Sequence, residues 1–170
     1  MAGIKQPILD ILNRLQTIVN ADGSNLYASL WSSQLKQYEQ GQTYSFPFPC
    51  AFVEVAMPDS YDQLGCGITT SDVTFKIHLG AIELDAGDGT LEQNIAIFDF
   101  RDQVITLLAG YEPTACSGLM KVAEYQDETH TNVYHYIIDF KCSFIDDRGS
   151  QAAGQMNFGP PTILEIDATI

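Results

Sequence analysis

Long apolar stretches are missing from this chain: its uninterrupted hydrophobic runs extend over a handful of residues, too few to span a bilayer. Basic residues are scarce, with 8 Lys and Arg against 22 Asp and Glu and a formal net charge of −14. That deficit excludes the clustered cations that grip a DNA or RNA backbone, and equally a polybasic contact with anionic lipid. Charged residues make up only 18% and hydrophobic ones 45%, which fits neither a disordered chain nor a coiled coil. Paired CxxC cysteines are absent. Cys50, Cys66, Cys116 and Cys142 are widely spaced, which argues against a zinc site and leaves them as reduced thiols, Cys50 and Cys142 acting as small hydrophobes in strand-like segments. The stretch from Met1 to Asp10 lacks the basic region, apolar run and cleavage site of a signal peptide, so intracellular synthesis is expected.

What is present suffices for one domain with a proper core, since the chain has 170 residues. Pro7 followed by Ile8, Ile11, Leu12, Leu15, Ile18 and Val19 predicts a helix over 7–19, ended by the turn residues Asn20 to Gly23. Residues 26–42 are ambiguous, with Trp31, Ser33, Leu35 and Gln37 on one face if the stretch is extended. Residues 50–56 are nearly all apolar, as in a central strand covered on both faces, and 57–71 reads as a long polar loop. In the next strand Val73, Phe75, Ile77 and Leu79 alternate with Thr74, Lys76 and His78. The phase then slips to Ile82 and Leu84, which predicts a bulge at Gly80. A second helix is expected over 91–108, with Ile95, Phe98, Ile105 and Leu108 on its stripe and Gly110 as its stop.

The most regular alternation comes last. Tyr134, Tyr136, Ile138, Phe140, Cys142 and Phe144 share one face of a strand, and 119–126 is its hairpin partner. Helix, strands, helix, strands predicts an α+β fold: a two-layer sandwich, mostly antiparallel sheet with two helices packed on one face. Residues 1–147 form that single domain. Residues 148–170, rich in Gly, Ala, Gln and Pro before the apolar piece Thr162 to Asp167, read as a linker and an extended C-terminal segment.

Groups for catalysis are few, and GxSxG, HExxH and GxxxxGK[ST] motifs do not occur. His78 and His135 lie on the polar face of neighbouring strands and His130 in a turn. With Asp139 they could make an acid–base set, but ordinary exposed histidines are the expectation. The loop Asp85 to Thr90 places Gly87, Gly89 and Ala96 where a calcium loop needs oxygen ligands, so it reads as a flexible lead into a helix with Thr90 as N-cap. No catalytic, cofactor or metal residue is assigned, and no cofactor. The other face of the last strand is partly apolar, because Val133, Ile137 and Ile145 interrupt His135, Asp139, Lys141 and Ser143. Together with Ile163 and Ile166 these residues are the candidate subunit interface; the alternative is a lone domain whose sheet is half covered by its own loop.

The element order and several local patterns resemble the tail terminator, or tail completion, proteins of long-tailed bacteriophages over about residues 5–147. They are the opening helix, the proline-led strand FPFPCAFVEV at 46–55, the strand DVTFKIHL at 72–79, the helix IFDFRDQV at 97–104 ending in Leu108-Ala109-Gly110, and the closing strand from Tyr134 to Asp146. The resemblance implies a virion structural protein assembled in the host cytoplasm. It would form a homo-oligomeric ring, a hexamer, that caps the tail tube protein, stops its growth and meets the head-side connector protein. DNA would pass the lumen without specific binding, as acidic walls repel phosphate. No membrane is involved and no catalytic residues are implied. The competing readings are a head–tail connector, or neck, subunit and a small-ligand enzyme using the sheet histidines.

Overall fold

The computed structural model describes residues 3–41, 46–65, 67–82, 91–127 and 133–149, with only the backbone described for 91–96. The elements, in chain order, are α1 (Lys5–Leu15), β1 (Tyr27–Leu30), α2 (Gln34–Glu39), β2 (Cys50–Ala56), β3 (Asp62–Gly65), β4 (Ile68–Ala81), α3 (Leu91–Leu108), β5 (Met120–Asp127) and β6 (Tyr134–Asp146). One sheet runs in the order β1-β2-β4-β6-β5, with β3 paired to the start of β4. Its pairings are antiparallel except β1 with β2, which is parallel. The α+β sandwich expected from the sequence is the fold observed.

Helices α1 and α3 cover one face of the sheet. Ile11 and Leu15 of α1, and Ile97, Phe100, Val104 and Leu108 of α3, meet Val73, Phe75, Ile77 and Leu79 of β4 and Ile138, Phe140, Cys142 and Phe144 of β6. Tyr134 and Tyr136 pack against the same cluster, so the period-two assignment of β6 holds along its length. Arg14 ties the helices together: its Nε donates to the Leu107 carbonyl at 2.7 Å and its guanidinium lies 4.2 Å from the Tyr111 ring centre. Arg101 reaches from α3 to the Glu124 carboxylate of β5 at 2.9 Å and 2.5 Å.

Several expectations are corrected. The first helix stops at Leu15, because the Ile18 carbonyl accepts the Leu26 N–H at 2.8 Å, its side chain staying in the core, and Val19 bridges to Asn25. The ambiguous stretch divides into β1 and α2, so Leu35 and Gln37 belong to a helix. The polar loop at 57–71 contains β3 and the beginning of β4, a short hairpin whose exposed β3 side chains hid its strand character. On α3 the buried stripe runs through Ile97, Phe100, Val104 and Leu108, while Phe98 is exposed; the Ile95 side chain lies outside the described residues. Gly110 does end the helix region, at φ +76°, with its N–H donating to Leu119 O at 2.8 Å.

Gly80 is not a bulge. It pairs in unbroken register with Cys50 on β2 and His135 on β6. A Cβ there would stand 2.8 Å from Leu35 Cδ2 and 2.9 Å from Cys50 Sγ, so the glycine makes room for α2 to settle on the sheet. The apparent phase slip reflects burial on both faces, with Ala81 in the helix-side core and Ile82 against the cluster on the other side. The register shifts occur instead between Lys121 and Ala123, and between Gln63 and Gly65. His130, Cys66, Asp85 to Thr90, Ile163, Ile166 and nearly all of the segment 148–170 lie outside the described residues.

Candidate functional site

The face of the sheet away from α1 and α3 is built from alternate residues of four strands: Phe52 and Glu54 of β2, Lys76 and His78 of β4, His135, Ile137 and Asp139 of β6, and Asp127 of β5. The register sets Phe52 opposite His78, His78 opposite Ile137, and Asp127 opposite His135. The two histidines are therefore diagonal neighbours on adjacent strands, close enough for long side chains to meet.

They do meet. His78 Nδ1 and His135 Nε2 are 2.9 Å apart, one donating and the other accepting according to tautomer. His78 Nε2 lies 2.8 Å from Glu54 Oε2, and His135 Nδ1 lies 3.2 Å from Asp127 Oδ2. A carboxylate–imidazole–imidazole–carboxylate chain thus crosses four strands. It is deeply placed, with His78 4% and His135 1% exposed. The expectation of ordinary exposed histidines is overturned, and Asp139 pairs in register with Lys76 rather than completing an acid–base set.

The lid over this chain comes from the residues that the sequence left ambiguous. The Trp31 indole stacks on His78 at 4.0 Å and 6°, and its centroid lies 5.3 Å from that of His135. Leu35 of α2 is fully buried against Cys50, Phe52 and Val133, with Trp31, Phe46 and Phe48 packed around them. Phe46 meets Phe52 edge-on at 5.3 Å. One signal could have found the lid: β2 reads as covered on both faces, so a second cover had to lie over Phe52, and pairing β2 with β4 sets His78 beneath it.

The electrostatics follow from that burial. Loss of water pulls His78 below the usual histidine range; Lys76 pulls the same way, and Glu54, by hydrogen bond and charge, and Asp139 resist. Burial also pushes the Cys50 thiol up to about 12, so it stays protonated. Cys50, Cys116 and Cys142 are free thiols. Each of the four imidazole nitrogens faces a protein partner, an arrangement that orients and holds the rings. Among the described residues, surface grooves elsewhere include one of about 690 Å³ beside Arg14, Asp99 and Asp102, and one of about 420 Å³ beside Tyr61, Gln63 and Arg148. Among the described residues no group of three or more His, Cys, Asp or Glu is placed to hold a metal ion, and no helix is long and apolar enough to cross a membrane.

The residues expected at a subunit interface divide. Val133 and Ile137 are only 4% and 5% exposed, so the expectation that they face outward is corrected: Val133 lies beneath α2 and the aromatic lid, and Ile137 is closed off within the same chain. Ile145, at 45%, keeps an open surface. Apolar side chains are exposed also on the two edge strands, Tyr27 and Leu30 on β1 and Met120, Val122 and Tyr125 on β5. The chain matches no protein-family model and no curated protein.

Proposed function

We propose that this protein is a ring-forming structural subunit of a phage tail, of the tail-terminator type, acting by self-association rather than by catalysis. The observation that carries the reading is the β5 edge. Among the described residues this eight-residue strand has one side unpaired, and beside Lys121 and Glu124 it exposes Met120, Val122 and Tyr125, an apolar strip that a second copy can cover. A second copy covers it without any new fold. Support comes also from the order of helices and strands that the resemblance requires, and from histidines whose ring nitrogens are occupied by protein partners. The acidic composition suits a channel that DNA traverses without adhering.

The test has two arms. Sedimentation across concentrations should show a closed oligomer for the wild type and a folded monomer for Val122→Lys. Addition of the wild type to polymerising tail tube protein should cap the tubes at a fixed end, and Val122→Lys should not. A wild type that stays monomeric and leaves tube growth unchanged would overturn the reading. Binding to head-side connector rings without any effect on tubes would move it to a neck subunit.

A further inference from the structure

We propose that the Glu54–His78–His135–Asp127 chain is an acid-sensitive latch that holds Trp31 and the α2 layer that follows it on the sheet while the two rings share one proton, and frees that layer when both rings are charged. The geometry dictates this. A nitrogen–nitrogen contact of 2.9 Å closes only with a single proton between the rings. Two imidazolium rings would set N–H against N–H and force the contact open. The Trp31 indole lies 4.0 Å from His78, nearer than to His135 at 5.3 Å, and Leu35 of α2 packs beside it over Phe52 of β2.

The charged groups around the rings come from every neighbouring element. Glu54 of β2 and Asp127 of β5 terminate the chain, while Lys76 of β4 and Asp139 of β6 stand opposite each other in register, half-buried on the same face. From α2, Glu39 accepts the Val133 N–H at 3.3 Å, two residues before His135. The two terminal carboxylates favour the first added proton. The second is opposed by the charge already present and by burial, which already holds His78 toward its neutral form. The latch thus stays shut near neutrality and opens in acid.

The chain has a single tryptophan, so its emission reports the latch directly. Trp31 fluorescence and far-UV circular dichroism would be followed together from pH 8 to 4.5. The expected result is a reversible red shift centred below the ordinary histidine value of about 6.5, with secondary structure retained through it. His78→Gln and His135→Gln should abolish the shift, and His130→Gln should leave it as in the wild type. No shift in the wild type, the same shift in both sheet variants, or loss of secondary structure in step with the emission would each overturn the proposal. If the Gln variants fail to fold, nitrogen NMR of the wild-type imidazoles decides. One proton held between the two rings at pH 7.5 supports the latch; two rings that each exchange freely with solvent overturn it.

Discussion

The two faces of the sheet are both interiors, made in different ways. The face under α1 and α3 is dry: phenylalanines, leucines, isoleucines and valines from five elements interlock, and its stability comes from area removed from water. The face under Trp31 and α2 is mixed. At one end aromatic rings seal two histidines whose carboxylate partners, Glu54 and Asp127, reach toward solvent; at the other, Lys141 and Asp72 pair at 2.9 Å in the open. Polar side chains can therefore lie in a core when each has a partner, and hydrophobic alternation recognises only the first kind of core.

The largest expected effect belongs to the dry face. Phe140→Ala, which empties the centre of β6, should cost about 3–5 kcal/mol in urea unfolding, by lost transfer energy and the cavity left behind. The loss should be the same at pH 8 and pH 6, because the phenylalanine, leucine, isoleucine and valine side chains that make up most of that core carry no ionisable group. A loss that changed with pH would erase the contrast between the faces.

Next comes His135→Ala. It leaves His78 Nδ1 and Asp127 facing a gap under the lid, and the cost should be roughly 1–3 kcal/mol, read as a shift of the urea midpoint at pH 7.5. Gly80→Ala should cost a similar amount, about 1–3 kcal/mol, because Leu35 and Cys50 have to move aside. Full stability in the glycine variant would show that α2 is not seated where it is described.

The mixed face also carries a pH dependence. His78 is held below its unfolded value, so between the two values the unfolded chain binds more protons than the folded one. Its contribution is fully present above pH ~6.5 and is lost as the pH falls toward the lowered value. Urea titrations at pH 7.5, 6.5 and 5.5 should show stability declining, with a shallower decline in His78→Gln. The smallest effect is at the open end: Lys141→Ala should leave the unfolding midpoint nearly unchanged, since both partners of the Asp72 pair are solvated.

The dry face was legible in the sequence because alternation is a local property. Tyr134 to Phe144 declare their side of β6 without reference to any other strand. The candidate site was not legible in the same way. His78 and His135 stand 57 residues apart, and their meeting depends on the β4–β6 register. Their burial depends on Trp31 and Leu35, in a stretch whose pattern fits strand and helix equally. Val133 and Ile137 were misread for the same reason: they share the phase of His135, Asp139, Lys141 and Ser143, and a phase with four polar members looks like an exterior. Gly80, taken for a break in the ladder, was in fact the clue that another element approaches closely there.

The central claim is that the second face is closed within one chain, and Ile137→Asp tests it most directly. An unpaired carboxylate at a side chain 5% exposed should lower the thermal midpoint of the isolated monomer by roughly 10 °C or more. A variant monomer that melts within about 2 °C of the wild type, and loses only its ability to assemble, would contradict the claim and return Ile137 to an outward, subunit-facing surface.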